Sequence, residues 1–274
     1  MAPTQLERAE RFRALHQAPG AFVIANAWDG ASARILEHLG FEAIATSSGA
    51  AAATLGRLDG QLTREEALAH SRLIAQATAR PVSADLEKGF GDAPEAVAET
   101  VRLAAEAGLV GCSIEDSTRD PSRPFYDPGQ ATERIAAAVE AARALPFPFT
   151  LTARSENFLH GRPDLDDTIR RLQAFERAGA DVLFAPGLPD LDAVRAVCAA
   201  VSRPVNFMAA LRGKSPPIAE LAAAGVKRVS LATSLYRAAV TGLVMAAREV
   251  QEAGTFSYLD HIVSTPELNG YLKR

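Results

Sequence analysis

Cysteine is scarce: 274 residues contain only Cys112 and Cys198, at no metal-ligand spacing. That excludes a disulfide framework and points to a reduced, cytoplasmic protein. Aromatic residues make up 6% of the chain, the basic residues are scattered and the net charge is −4, so no nucleic-acid surface is expected. No apolar run is long enough to span a bilayer, and no membrane partner is expected. The first ten residues are charged and lack an apolar signal core. No Gly-rich dinucleotide fingerprint occurs either. What remains is an ordinary globular composition, 48% hydrophobic and 23% charged, at a length that suits one large α/β domain.

One unit recurs along the chain: an Ala-rich helical stretch, a glycine, then a short apolar strand. It ends at Gly40 before Ala43–Thr46, at Gly108 before Val110–Ile114, at Gly179 before Asp181–Phe184 and at Gly225 before Lys227–Leu231. Gly after the last helical turn is the expected stop. Proline introduces three further strands, Pro81–Ala84, Pro148–Thr152 and Pro204–Phe207, and Phe22–Ala25 makes eight. Eight alternating units of this length predict a (β/α)8 barrel of the TIM type over residues 1–254. A doubly wound open sheet would also alternate; even spacing favours closure. Residues 255–274 read as a C-terminal helical tail, which a closed barrel does not need.

Strand parity then selects side chains. If Asp85 faces the barrel mouth so does Ser83; Glu115 brings Ser113 and Gly111; Arg154 brings Thr152 and Thr150. Cys112 falls on the opposite face and reads as packing. Asp59, Asp85, Glu87 and Glu115 all lie at strand ends or in the loops that follow them. In a parallel barrel those ends share one rim, where ligands bind. Carboxylates gathered there repel one another unless a cation neutralises them, and all-oxygen donors favour Mg²⁺ or Mn²⁺. Asn206 has pocket parity on the seventh strand, although buried hydrogen bonding explains it equally. The Pro-rich segment Ser117–Gln130 is a lid candidate. Within it Arg119 and Arg123 read as ordinary surface residues, as does His160 further on.

Ser47-Ser48-Gly49, Leu58-Asp59-Gly60, Asp85-Leu-Glu-Lys-Gly-Phe-Gly91, Ile114-Glu115-Asp116 and Ala153-Arg154, in this order over nearly the whole chain, resemble the phosphoenolpyruvate mutase/isocitrate lyase superfamily. The resemblance implies a (β/α)8 barrel acting on small 2-oxo or 2-hydroxy acids through an enolate-like intermediate. It implies Asp85 as the direct Mg²⁺ ligand, with Asp59, Glu87 and Glu115 acting through water; Glu87 stands where Asp is more usual. It implies Ser47, Ser48 and Gly49 as the turn that holds a substrate carboxylate, and Arg154 as the cation for a carboxylate or developing oxyanion. It also implies a homo-oligomer, dimer or tetramer, with an exchanged C-terminal helix.

The reaction-specific parts depart from the family. The lyases' Lys-Lys-Cys-Gly-His is replaced by Asp116-Ser-Thr-Arg-Asp-Pro, and the Lys and Asn of the mutases and hydrolases are absent from this loop. The glutamate of the lyases after the sixth strand is Pro186 here. The expected activity is cleavage of a C–C bond in an isocitrate- or methylisocitrate-type acid, with Arg154, Glu115 and Tyr126 as catalytic groups and water or Tyr126 supplying the proton. Oxaloacetate-type decarboxylation, P–C bond mutase or hydrolase chemistry, and a catalytically weak 2-oxo-acid-binding protein are the alternatives.

Overall fold

Gly40, Gly108, Gly179 and Gly225 have φ between 91° and 101°. That left-handed geometry stops each preceding helix and turns the chain into the next strand. The computed structural model describes residues 3–273. The chain runs α1 (Gln5–Gln17), β1 (Phe22–Asn26), α2 (Gly30–His38), β2 (Ala43–Ala45), α3 (Ser48–Thr54), α4 (Arg64–Ala77), β3 (Val82–Asp85), α5 (Pro94–Glu106) and β4 (Gly111–Glu115). It continues through α6 (Pro128–Arg143), β5 (Thr150–Arg154), α7 (Leu165–Arg177), β6 (Val182–Phe184), α8 (Leu191–Ala200), β7 (Val205–Met208), α9 (Ile218–Ala223) and β8 (Val226–Ser230). A long α10 (Ser234–Ala253), a 3₁₀ turn (Ser257–His261) and α11 (Thr265–Leu272) follow. The strands pair in sequence order, all parallel, and β8 closes on β1. The expected (β/α)8 barrel is the fold.

Alternation along the strands divides the interior. Cys112, Ile114, Leu151 and Ala153 point outward into the layer shared with the helices and are fully buried there. The opposite faces of these strands carry the small and hydroxylic residues. At the amino-terminal end of the barrel, α1 inserts Phe12 as a plug beside Ile24, Ala43 and Val110. Gly111 fits that plug. A Cβ there would lie 2.7 Å from the Thr150 carbonyl oxygen and 3.1 Å from the Phe12 ring, too close for any larger residue.

The carboxyl-terminal part differs from an ordinary barrel. α10 follows β8 directly yet has no buried residue. Leu243 and Met245 are 68% and 67% exposed, and Phe256, Ile262 and Val263 beyond it are also exposed. α11 returns to its own barrel. Arg34 on α2 donates to the Leu272 carbonyl at 2.5 Å, and His38 meets Tyr271 edge-on. The unburied stretch thus begins within the segment expected to complete the barrel, before residue 255.

Candidate active site

Among the described residues, all four non-glycine residues with positive φ lie beyond strand carboxyl ends. Glu87 and Phe90 follow β3, Arg119 follows β4 and Ala232 follows β8. Such conformations cost roughly 1–3 kcal/mol each and persist where surrounding contacts enforce them. Ala232 lines a cavity of about 240 Å³ at the barrel mouth, while Glu87, Phe90 and Arg119 line a separate cleft. The polar wall of the barrel-mouth cavity includes Ser47, Ser48, Asp59, Ser83, Asp85, Ser113, Arg154, Asn206, Arg228 and Ser230, and its apolar wall includes Ile24, Phe184 and Met208.

Asp85 is fixed from several sides. Its backbone N–H donates to Thr46 Oγ1 at 3.0 Å. Its Oδ2 accepts from the Ser48 hydroxyl at 2.9 Å and the Ser48 N–H at 3.3 Å. Its Oδ1 accepts from the Glu87 N–H at 3.3 Å. Ser47 caps α3, accepting from the Ala50 N–H at 3.3 Å. The Ser47–Gly49 turn lines the cavity, and the Ser48 hydroxyl orients Asp85. Gly49 lies against Asp59, whose Cγ would be 3.4 Å from an added Cβ.

Arg154 ends β5 in register with Glu115 on β4. Its guanidinium bonds Glu156 through Nε, while Nη1 lies 3.6 Å from Glu115 and 3.8 Å from Asp85. Although the guanidinium is buried, this ring of carboxylates raises its pKa further and keeps it charged. Glu156, absent from the sequence reading, is oriented by its own N–H, which donates to Asp116 Oδ1 at 2.8 Å. Asp116 points away from the cavity, accepting from Arg171 Nη1 at 3.0 Å. Burial and then Glu156 push the Glu115 carboxyl upward, opposed by Arg154 and Arg119. Burial pushes Glu87 up to about 7 against the opposing pull of Arg119.

Two sequence assignments change and one cavity residue is new. Arg119, read as a surface residue, bridges the acidic rim: its Nε lies 3.0 Å from Glu115, Nη2 3.5 Å from Glu87 and Nη1 3.6 Å from Asp59. Tyr126, read as a candidate proton donor, lies outside the cavity. It is 2% exposed, its hydroxyl donates to Asp92 at 2.5 Å and its ring lies under Arg134. Folding of the loop onto α6 takes it out of reach. Arg228, which the sequence reading passed over, lies in the cavity wall hydrogen-bonded to Asn206. Strand parity with Ser230 was the available signal.

The acidic rim suits a hard cation. Glu87 Oε1 and Glu115 Oε2 are buried without a hydrogen-bond partner, the kind of orphaned oxygen that a hydrated ion satisfies. Among the described residues, no three such side chains converge closely enough to ligate one ion together. Any ion at this rim would therefore touch at most two of these carboxylates directly. Arg119 would compete with that ion. Arg119→Gln should tighten Mg²⁺ binding by roughly tenfold, since a full charge a few ångströms away acts on that scale in a partly screened site. Unchanged affinity by titration calorimetry would show that Arg119 and the ion do not share the rim.

The family model described as phosphoenolpyruvate phosphomutase matches residues 12–251. The chain belongs to this family. It is 30% identical over 262 residues to an oxaloacetate decarboxylase of Rhodopseudomonas palustris, covering 92% of this chain and 88% of that one. It is 29% identical over 247 residues to a 2-methylisocitrate lyase of Aeropyrum pernix, covering 87% and 76%. A crystal structure from Burkholderia cenocepacia J2315, described only as a lyase/mutase, superposes with a TM-score of 0.96 at 54% identity, covering 97% and 96%. The sequence-based recognition of the superfamily holds, as does the expectation of an enzyme of the carbon–carbon lyase type.

Proposed function

We propose that this protein is a divalent-cation-dependent lyase. It cleaves a C–C bond in a small 2-hydroxy or 2-oxo di- or tricarboxylic acid through an enolate-like intermediate. The observation that carries this reading is the meeting of Arg154, Asp85 and Glu115 at a polar cavity beside two orphaned carboxylate oxygens. Asp85, and through water Asp59, Glu87 and Glu115, would hold Mg²⁺ or Mn²⁺, which would supply positive charge to stabilise the developing oxyanion. Arg154 offers a planar two-point donor to the same oxyanion or to a substrate carboxylate, held in place by Glu156 and the Phe184 ring. The Ser47–Gly49 turn meets the substrate's carboxylate. Ser83, Ser113 and Asn206 leave room and donors for the remaining oxygens.

Decarboxylation of an oxaloacetate-type acid is the second reading, favoured by one observation. Among the described residues, the cavity wall has no His, Cys, Lys or Tyr. In this reading the carbanion takes its proton from solvent. P–C bond chemistry ranks third. A panel of 2-hydroxy, 2-oxo and phosphonate acids, assayed with Mg²⁺ and with chelator, tests the reading. Cleavage that needs the ion supports it, and binding without turnover of any acid contradicts it.

The same reading includes a homo-oligomer in which α10 and the segment after it cover a neighbouring barrel, because this apolar stretch is unburied on its own chain. Truncation after Gly254 should lower the mass by light scattering or make the protein insoluble. A soluble monomer both before and after truncation would contradict the assembly.

A further inference from the structure

We infer that Arg228 recognises a second carboxylate of the substrate, remote from the reacting centre, and so selects dicarboxylic over monocarboxylic acids. This inference rests on the cavity being the substrate site proposed above. Arg228 lies mid-strand on β8 and is 5% exposed. Its partners are neutral: Asn206 Oδ1 at 2.8 Å, Thr152 Oγ1 at 3.0 Å and His16 Nε2 at 3.4 Å. Burial, and secondarily Arg228 itself, push His16 down to about 3, so the contact from below is uncharged. Burial also brings the Arg228 pKa down to about 9.

The other buried guanidiniums show the contrast. Arg171 faces Asp116 and Asp167, and Arg154 faces three carboxylates. Arg134 spends its donors on the backbone carbonyls of Lys88, Gly91 and Asp92, away from the cavity. Among the described residues, no carboxylate pairs with Arg228. A buried cation without an anion is costly, and its open side is the cavity.

The register rows Arg154–Phe184–Asn206–Arg228 run across β5 to β8. They set two guanidiniums on the same cavity, with the apolar walls of Phe184, Ile24 and Met208 about it. An acid with its reacting end at Arg154 and methylenes along those walls brings a distal carboxylate to Arg228. Two-point donation then completes the guanidinium's charge pairing.

Succinate and butyrate have equal carbon number and differ in the second carboxylate. In calorimetry on the full chain with Mg²⁺, succinate should bind at least about tenfold more tightly, a conservative figure for a buried charge pair. Arg228→Gln should reduce that gap below about threefold while leaving butyrate affinity unchanged, which a general loss of structure would not do. Arg228→Lys, which keeps the charge, should retain part of the gap and serves if the Gln variant does not fold. Equal binding of the two acids by the wild type overturns the inference, as does a gap that survives in Arg228→Gln. Tighter binding of 3-phosphonopropionate than of succinate overturns the carboxylate assignment in favour of a phosphonate. The turnover panel is read separately: cleavage of C–C substrates alongside an absent succinate preference leaves the proposed function standing and removes this inference alone.

Discussion

An Asp85→Ala enzyme should lose its Mg²⁺-dependent turnover, by more than about a thousandfold, a larger loss than removing one oxyanion donor typically causes. Asp85 lies, with Asp59, where the acidic rim meets the cavity, and its two oxygens are already aimed by Ser48 and Glu87. Its substitution should leave the barrel intact. The side chain is 19% exposed, and the strand bonds use backbone groups. Asp59→Ala and Glu115→Ala should cost less, about 10–100-fold, as expected for groups that act through water. An Asp85→Ala protein with wild-type Mg²⁺ affinity and activity would remove Asp85 from the metal site.

Arg154→Lys should cost about 2–4 kcal/mol in transition-state stabilisation, the scale of one lost oxyanion donor. The substitution keeps the charge but loses the planar fork that reaches Glu156 and the cavity together. If Arg154 serves the developing oxyanion, kcat should fall more than KM rises, because only the transition state loses the contact. If it anchors a ground-state carboxylate, KM should rise with kcat nearly constant. The first outcome is expected, since Arg154 lies beside Asp85 and Glu115. Unaltered kcat and KM would remove Arg154 from the site.

The barrel and much of its rim were legible because two periodicities are printed in the sequence. Glycine stops and proline starts marked the units, and alternation along the strands brought Ser83, Ser113, Asp85 and Arg154 to one cavity. Three features were not legible, each for its own reason. Arg119 and Tyr126 depend on how the Pro-rich loop folds: one reaches the acidic rim and the other bonds Asp92. Arg228 lies inside Val226-Lys-Arg-Val-Ser230, where a basic pair reads as a solvated edge unless parity is followed into β8. The exposure of α10 depends on what it packs against, which its own apolar spacing does not encode.

The most direct test of the proposed chemistry is proton NMR of a 2-hydroxy and 2-oxo di- and tricarboxylic acid panel incubated with enzyme in D₂O, with Mg²⁺ and with chelator. The account predicts products of C–C cleavage that need the ion and carry solvent deuterium at the former carbanion carbon, because the carbanion is quenched by water or by a group that exchanges with it. Cleavage that proceeds equally with chelator, or a panel in which no C–C bond is broken above the uncatalysed rate, would contradict it.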